Sequence, residues 1–222
     1  MAKELSNILI NYVHDKALKN YVSKYVSGKL VDIGCGIKPY KDIVAPFVTE
    51  HTGVDHQYTK HDMGSIDIVG TAYEIGVDDC YFDSVLCTSV LEHLEKPLEA
   101  LEECNRILKP GGYALYSVPF IWPIHEQPRD FFRYSKYGLK YLFEEAGFEV
   151  VEIYPLTGFW VTFGQLFVYN LYRYNRGFLR YLPIIPLLGL FIQFTSFLLD
   201  KIDKSEQWAC MHFVVAKKTG GN

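Results

Sequence analysis

The stretch KLVDIGCGIKPY, residues 29–40, constrains the fold more than any other part of the chain. A short apolar run ends on an acid, Asp32, and passes straight into a turn built on Gly34 and Gly36 and closed by Pro39. Such runs read as buried strands, and glycines placed directly after one let the backbone turn sharply and approach a ligand. Comparable runs recur at TGVD (52–55), IDIV (66–69), FDSVLCT (82–88), YALYSVP (113–119), FEVVEIYP (148–155) and QWACMHFVVAKK (207–218). Helical patterns separate several of them. Apolar residues at helical spacing from Leu5 to Val26 predict an amphipathic helix over 4–27. PLEALEECNRIL (97–108) predicts another, stopped by KPGG through Gly111 and Gly112. Ser135 is placed to cap a third, which runs through Ala146 and ends at Gly147. Strands alternating with helices predict an open α/β fold on a parallel sheet, with ligands beyond the carboxyl ends of the strands.

Composition narrows the function classes. A chain of 222 residues suits a single domain over 1–222 with a sizeable core. Net charge is −4 with acids and bases interspersed, so no nucleic-acid partner is expected. The five cysteines form no CxxC pair, and no histidine stands at zinc-ligand spacing from two of them. Free thiols and no metal are the expectation. Ser6 and Asn7 break the apolar run of MAKELSNILI, which argues against a signal peptide and for a cytoplasmic location.

Asp55 ends the second strand, about twenty residues beyond the glycine turn, where an acid accepts hydrogen bonds from both ribose hydroxyls of a nucleoside. A nicotinamide dinucleotide is the obvious rival. Asp32 precedes the glycines, however, and Lys38 stands where the dinucleotide fingerprint needs its third glycine. An acid in that place suits a cationic ligand better than a pyrophosphate.

LVDIGCGIKPY, GVD, FDSVLCTSVLEHLEKPLEALEECNRILKPGGYALYSVPF and LFEEAGFEVVEI, taken together, resemble a class I S-adenosylmethionine-dependent methyltransferase of the type 11 group. The likeness covers about residues 28–155 and the last strand. It implies a Rossmann-like, mostly parallel seven-stranded sheet with helices on both faces and the last strand antiparallel between strands five and six. It also implies S-adenosylmethionine as cofactor and S-adenosylhomocysteine as product. In this sequence the resemblance assigns Gly34, Cys35 and Gly36 to the methionine part of the cofactor, and Asp32 to its ammonium. Asp55, with His56 beside it, falls to the ribose, and Cys87, Thr88 and Ser89 to the methionine side. Glu92 and His93 match the family's EH pair at the rim, with His93 toward the substrate or packed structurally. Thr71 stands where the family often has an acid for the adenine amino group. Its hydroxyl and the backbone of Ala72 are the expected substitutes, with Tyr73 packing on the ring.

Methyl transfer needs nucleophile, methyl and sulfur in line, exclusion of water and a destination for one proton. PIHEQPRDFFRYS (123–135) directly follows strand five, at the ligand-binding edge. His125 is the candidate base because its ordinary pKa lies near neutrality. Glu126 is expected to orient it or to bind substrate hydroxyls. Arg129 and Arg133 either pair with Asp130 and Glu126 or bind an anionic group, and Tyr134 donates to an acceptor. The plain alternative is a loop whose charges satisfy one another while Phe131 and Phe132 anchor it.

Residues 157–206 lie where this fold has a short connection. The stretch 181–199 carries no charge, a length on the border of a membrane span. Spanning is not expected, since strand seven must return to the sheet of strand six and Pro183, Pro186 and Gly189 interrupt the run. Two readings fit: a helical cap over the substrate site or homodimer surface, and a membrane-interface element with Arg173, Arg176, Arg180, Lys201 and Lys204 at lipid headgroups. The expected activity is methylation of a small molecule or glycan precursor, with a sugar hydroxyl or lipid-linked saccharide foremost. A quinone or polyprenyl acceptor follows, and a non-catalytic cofactor-binding module is the rival from another class.

Overall fold

The computed structural model describes residues 5–57, 63–203 and 205–220; Lys204 lies outside them. Helix α1 spans Ile8–Tyr25, and the sheet begins with β1 (Gly28–Ile33). The short α2 (Lys41–Val44) leads to β2 (Val48–Asp55), β3 (Ile68–Val69) and β4 (Phe82–Thr88). Helix α3 (Pro97–Ile107), β5 (Leu108–Pro119), α4 (Lys136–Glu145) and β6 (Phe148–Pro155) follow. Helices α5 (Phe159–Tyr172) and α6 (Ile184–Ile202) precede β7 (Met211–Lys218).

The strand order is β3-β2-β1-β4-β5-β7-β6, with β7 antiparallel between β5 and β6. β1 pairs in parallel with both β2 and β4, so the order reverses on either side of it. The crevice beyond the carboxyl ends of β1 and β4 is therefore the switch point at which such sheets bind ligands. β1 and β4 are buried along most of their length, as central strands of a sheet flanked by helices are.

Helix α3 buries Ala100, Leu101, Cys104 and Ile107, one face at helical spacing, with Pro97 in its first turn. Its end corrects the expectation for KPGG. The helix stops at Ile107, Leu108 is already extended, and KPGG lies inside the long β5. Leu108 pairs with Phe82 of β4 there, and the neighbouring Asp83 carboxylate accepts from Lys109 at 2.7 Å. Ser135 caps α4 as expected, its hydroxyl accepting the Gly138 N–H at 3.2 Å.

The chain falls into two compact units. One holds residues 18–119, 124–154 and 212–222, and so the sheet and its core. His212 is buried in it on β7, and burial, with Lys136 adding to it, lowers the imidazole pKa to about 4. The folded state therefore takes up its proton later than the unfolded chain does. Stability holds above the unfolded value of about 6.5 and falls as pH drops toward 4, by about 3 kcal/mol in full. Denaturant unfolding at pH 7.5 and pH 4.5 should show that loss in the native chain and a smaller one in His212→Phe. Equal pH slopes in the two would remove His212 from the account.

The other unit holds residues 1–17, 120–123 and 155–211. Its helices α5 and α6 form an antiparallel pair joined by a 3-10 turn at Gly177–Tyr181. Asp200 near the end of α6 caps α5, accepting the N–H groups of Gly158, Trp160 and Val161 at 2.8, 2.9 and 3.2 Å. A Cβ on Gly164 would lie 2.1 Å from Ser196 Oγ, so glycine allows the helices to meet there. The polar residues within the apolar run serve this unit: Gln193 accepts from Leu9 N and donates to the Leu5 carbonyl, each at 3.0 Å.

Candidate active site

The glycine turn is held from β2. Gly34 and Cys35 donate their N–H groups to the Val54 carbonyl at 2.8 and 3.1 Å. Gly36 donates to Asp55 Oδ2 at 3.0 Å, and His56 N donates to Asp55 Oδ1 at 2.7 Å. Gly34 has φ +70°, and a Cβ there would also lie 2.4 Å from a Val90 methyl, so the position is closed to any side chain. Lys38 crosses Gly53 to donate to the His51 carbonyl at 2.9 Å and to Asp67 at 2.5 Å. The residue that replaces a third glycine is thus a strut between the turn and β2.

Above this turn lies a cavity of about 590 Å³, lined by Asp32, Gly34, Cys35, Gly36, Asp55, His56, Thr88, Ser89, His93, Glu126 and Arg129 among others. A smaller recess of about 190 Å³ shares Gly34, Asp55, His56 and His93 with it and adds Thr71, Ala72 and Tyr73. The size is that of an ordinary small-molecule site. Two acids on its wall are buried, Asp32 with 2% exposure and Asp55 with 8%. Burial raises the pKa of Asp32, while His51 Nε2, 3.1 Å away, works against that rise. A cationic ligand would do the same. Two buried carboxylates, a tight glycine turn and a side recess fit an ammonium or sulfonium group joined to a nucleoside, so the residues present fit S-adenosylmethionine. Ser89 (φ +54°) and Glu126 (φ +49°) hold strained left-handed backbone beside the cavity, where such strain tends to collect.

Four expected site residues, Cys87, His125, Arg133 and Tyr134, are not among the residues that line the cavity. Cys87 is in the core beside Cys104 and Tyr116, because alternation along β4 turns it away from the cavity that Thr88 reaches. Tyr134 is buried in the same core, and its hydroxyl donates to the Leu91 carbonyl at 3.2 Å. Burial pushes its phenol pKa up, so it is a structural anchor. Arg133 makes a two-pronged pair with Asp130, Nη1 to Oδ1 at 2.6 Å and Nη2 to Oδ2 at 2.8 Å. That pairing holds the Asp130 carboxyl well below the usual range. Asp130 Oδ2 also accepts the His125 backbone N–H at 2.8 Å, which closes the loop on itself.

His125 faces Glu92 and Asp130, the two carboxylates beside it, while Glu126 lies on the cavity wall. The Glu92 carboxylate, more than Asp130, lifts the His125 pKa above its ordinary value. Of His93 and His125 it is His93 that lines the cavity, and its ring meets that of His125 edge-on at 4.7 Å. Sequence spacing gave no reason to join Glu92, His93 and His125, because the first two lie in a 3-10 turn after β4 and the third after β5.

Residues 31–116 match the family model described as a methyltransferase domain. The chain is 24% identical over 140 residues to a ubiquinone biosynthesis O-methyltransferase of Alkalilimnicola ehrlichii, covering 56% of this chain and 54% of that protein. It is 28% identical over 200 residues to a demethylmenaquinone methyltransferase of Staphylococcus haemolyticus, covering 68% and 83%. The chain thus spans about half the length of the ubiquinone-type relatives it matches. Among solved structures, phosphoethanolamine N-methyltransferase 2 of Haemonchus contortus with S-adenosyl-L-methionine aligns with a TM-score of 0.59 and 19% identity, covering 93% of this chain and 52% of that one. The [4+2]-cyclase SpnF aligns at 0.63 and 17%, covering 93% and 82%, so one fold serves different chemistries.

Proposed function

We propose that this chain, a member of the class I S-adenosylmethionine-dependent methyltransferases, methylates a lipophilic acceptor of the quinol class at a membrane surface. The observation that carries the methyl-transfer reading is the pair of buried carboxylates, Asp32 and Asp55, on one cavity at the switch point of the sheet. When bound, S-adenosylmethionine supplies a methyl group already activated by the positive sulfur. The chain's part is to hold and enclose. Asp55 keeps the glycine turn in shape and offers its remaining lone pairs to a ribose. Asp32 balances the ligand's charge. His93, Glu126 and Arg129 form the acceptor side of the same cavity.

The acceptor class is supported by two relatives whose names concern ubiquinone and menaquinone. The sugar hydroxyl expected from the sequence finds no support among them. Membrane placement is supported by the helical unit. Ile184, Leu187, Phe191, Phe194, Leu198 and Ile202 form an exposed apolar stripe along α6 at helical spacing. From residue 153 to residue 199 the chain has no acid, whereas Arg173, Arg176 and Arg180 are exposed in it, a charge pattern suited to anionic lipid.

Calorimetry with S-adenosylhomocysteine should give one equivalent bound, and methyl transfer to a short-chain quinol analogue should exceed that to a sugar. No binding would sink the methyltransferase reading, and binding without transfer to any acceptor would favour a binding module. The intact chain should float with liposomes containing phosphatidylglycerol and much less with phosphatidylcholine alone. Reversing Arg173, Arg176 and Arg180 to Glu should abolish the difference. A native chain that stays with the soluble fraction would refute the membrane part.

A further inference from the structure

Glu92 is fully buried, and among the described residues neither of its carboxylate oxygens has a hydrogen-bond partner. Two imidazole nitrogens stand near it, His93 Nε2 at 3.7 Å and His125 Nε2 at 3.6 Å, both measured to Oε1. These separations exceed hydrogen-bonding distance. His93 Nδ1 lies against the backbone carbonyl of Arg129. A carbonyl only accepts, so Nδ1 carries the hydrogen and the neutral ring presents a lone pair at Nε2. That lone pair faces a carboxylate oxygen, acceptor toward acceptor. A buried carboxylate without a hydrogen bond costs several kcal/mol, and a positive charge between the three groups lowers that cost.

We propose that Glu92, His93 and His125 bind one divalent transition-metal ion. The three ligand atoms lie within 4.8 Å of one another. An ion about 2.0–2.2 Å from each holds nitrogen and oxygen ligands roughly 3–4 Å apart, which is the spacing of Glu92 Oε1 from each imidazole. The supports behind the ligands fit as well. The Arg129 carbonyl orients His93, and Asp130 Oδ2 lies 3.5 Å from His125 Nδ1. Carbonyls and carboxylates on the far nitrogen are what metal-binding histidines usually have. Two imidazoles and one carboxylate, with coordination positions left over, suit zinc, manganese, iron(II) or cobalt better than calcium. His93 also lines the main cavity, so the leftover positions border it. Resting on the methyltransferase reading, they take an oxygen of the acceptor. This departs from the sequence expectation of no metal, which weighed cysteine spacing alone.

The test uses the full chain after chelator treatment. Calorimetric titration with Mn²⁺ or Zn²⁺ should show one equivalent bound, and Co²⁺ should give a visible absorption band. His93→Gln and His125→Gln should each weaken binding by at least about a hundredfold and remove the band. X-ray absorption of the Zn²⁺-loaded native chain should report two imidazole nitrogens, a readout that needs no variant to fold. No saturable binding, or fewer than two imidazoles around the ion, would overturn the site. S-adenosylhomocysteine is titrated into the same samples. Its retention alongside failed metal binding refutes the metal site alone, and its failure refutes the methyltransferase reading separately.

Discussion

Asp55→Ala is expected to weaken S-adenosylhomocysteine binding by about a hundredfold, near the upper end of what losing hydrogen bonds to a buried charged group does. The carboxylate is almost fully buried and accepts two backbone N–H groups, Gly36 and His56. Alanine would orphan both donors and remove the ribose acceptor in one step. Asp55→Asn separates these roles. Its carbonyl oxygen replaces one acceptor, but its amide nitrogen must face the other backbone N–H, donor toward donor. Binding to Asn should therefore fall between the native chain and Ala. Calorimetry reads the affinities, and circular dichroism checks that each variant is folded. Native affinity in folded Asp55→Ala would mean that the cofactor does not sit at this turn.

Asp130→Ala should cost about 3 kcal/mol of stability, because it strands a partly buried guanidinium. Both carboxylate oxygens bind Arg133, and one also holds the His125 backbone. Arg133→Lys should recover little of an Arg133→Ala loss, since a single ammonium cannot make the two-pronged contact. The double variant should cost less than the two single losses added together, which is the signature of direct coupling. Because the Asp130 pKa is depressed, the pair stabilises the fold above the usual carboxylate range, and that contribution fades only at strongly acidic pH. Additive losses would show that the loop is held by something else.

Much of the sheet was legible because its signals are local. β4 and β6 match their apolar runs end to end, and Ser135 caps α4 as a serine at that place should. The end of α3 was not legible. KPGG has the composition of a helix stop, yet the chain was already extended at Leu108, where pairing of Leu108 with Phe82 of β4 outweighs glycine's turn preference. Within PIHEQPRDFFRYS, adjacency suggested which residues were present but not where they point. Arg133 and Tyr134 face the protein, whereas Glu126 and Arg129 face the cavity.

By itself the sequence determined the alternation of strands and helices, the glycine turn and the acid that ends β2. Those features depend on side-chain period and backbone freedom, which neighbouring residues settle among themselves. Only the tertiary structure decided that Asp55 grips the turn it faces, that Cys87 belongs to the core, and that Glu92, His93 and His125 converge. Each of these is a contact between segments far apart in the chain. Residue order says which groups exist, but the packing of the sheet sets the distances between them, and charge, burial and coordination all act through distance.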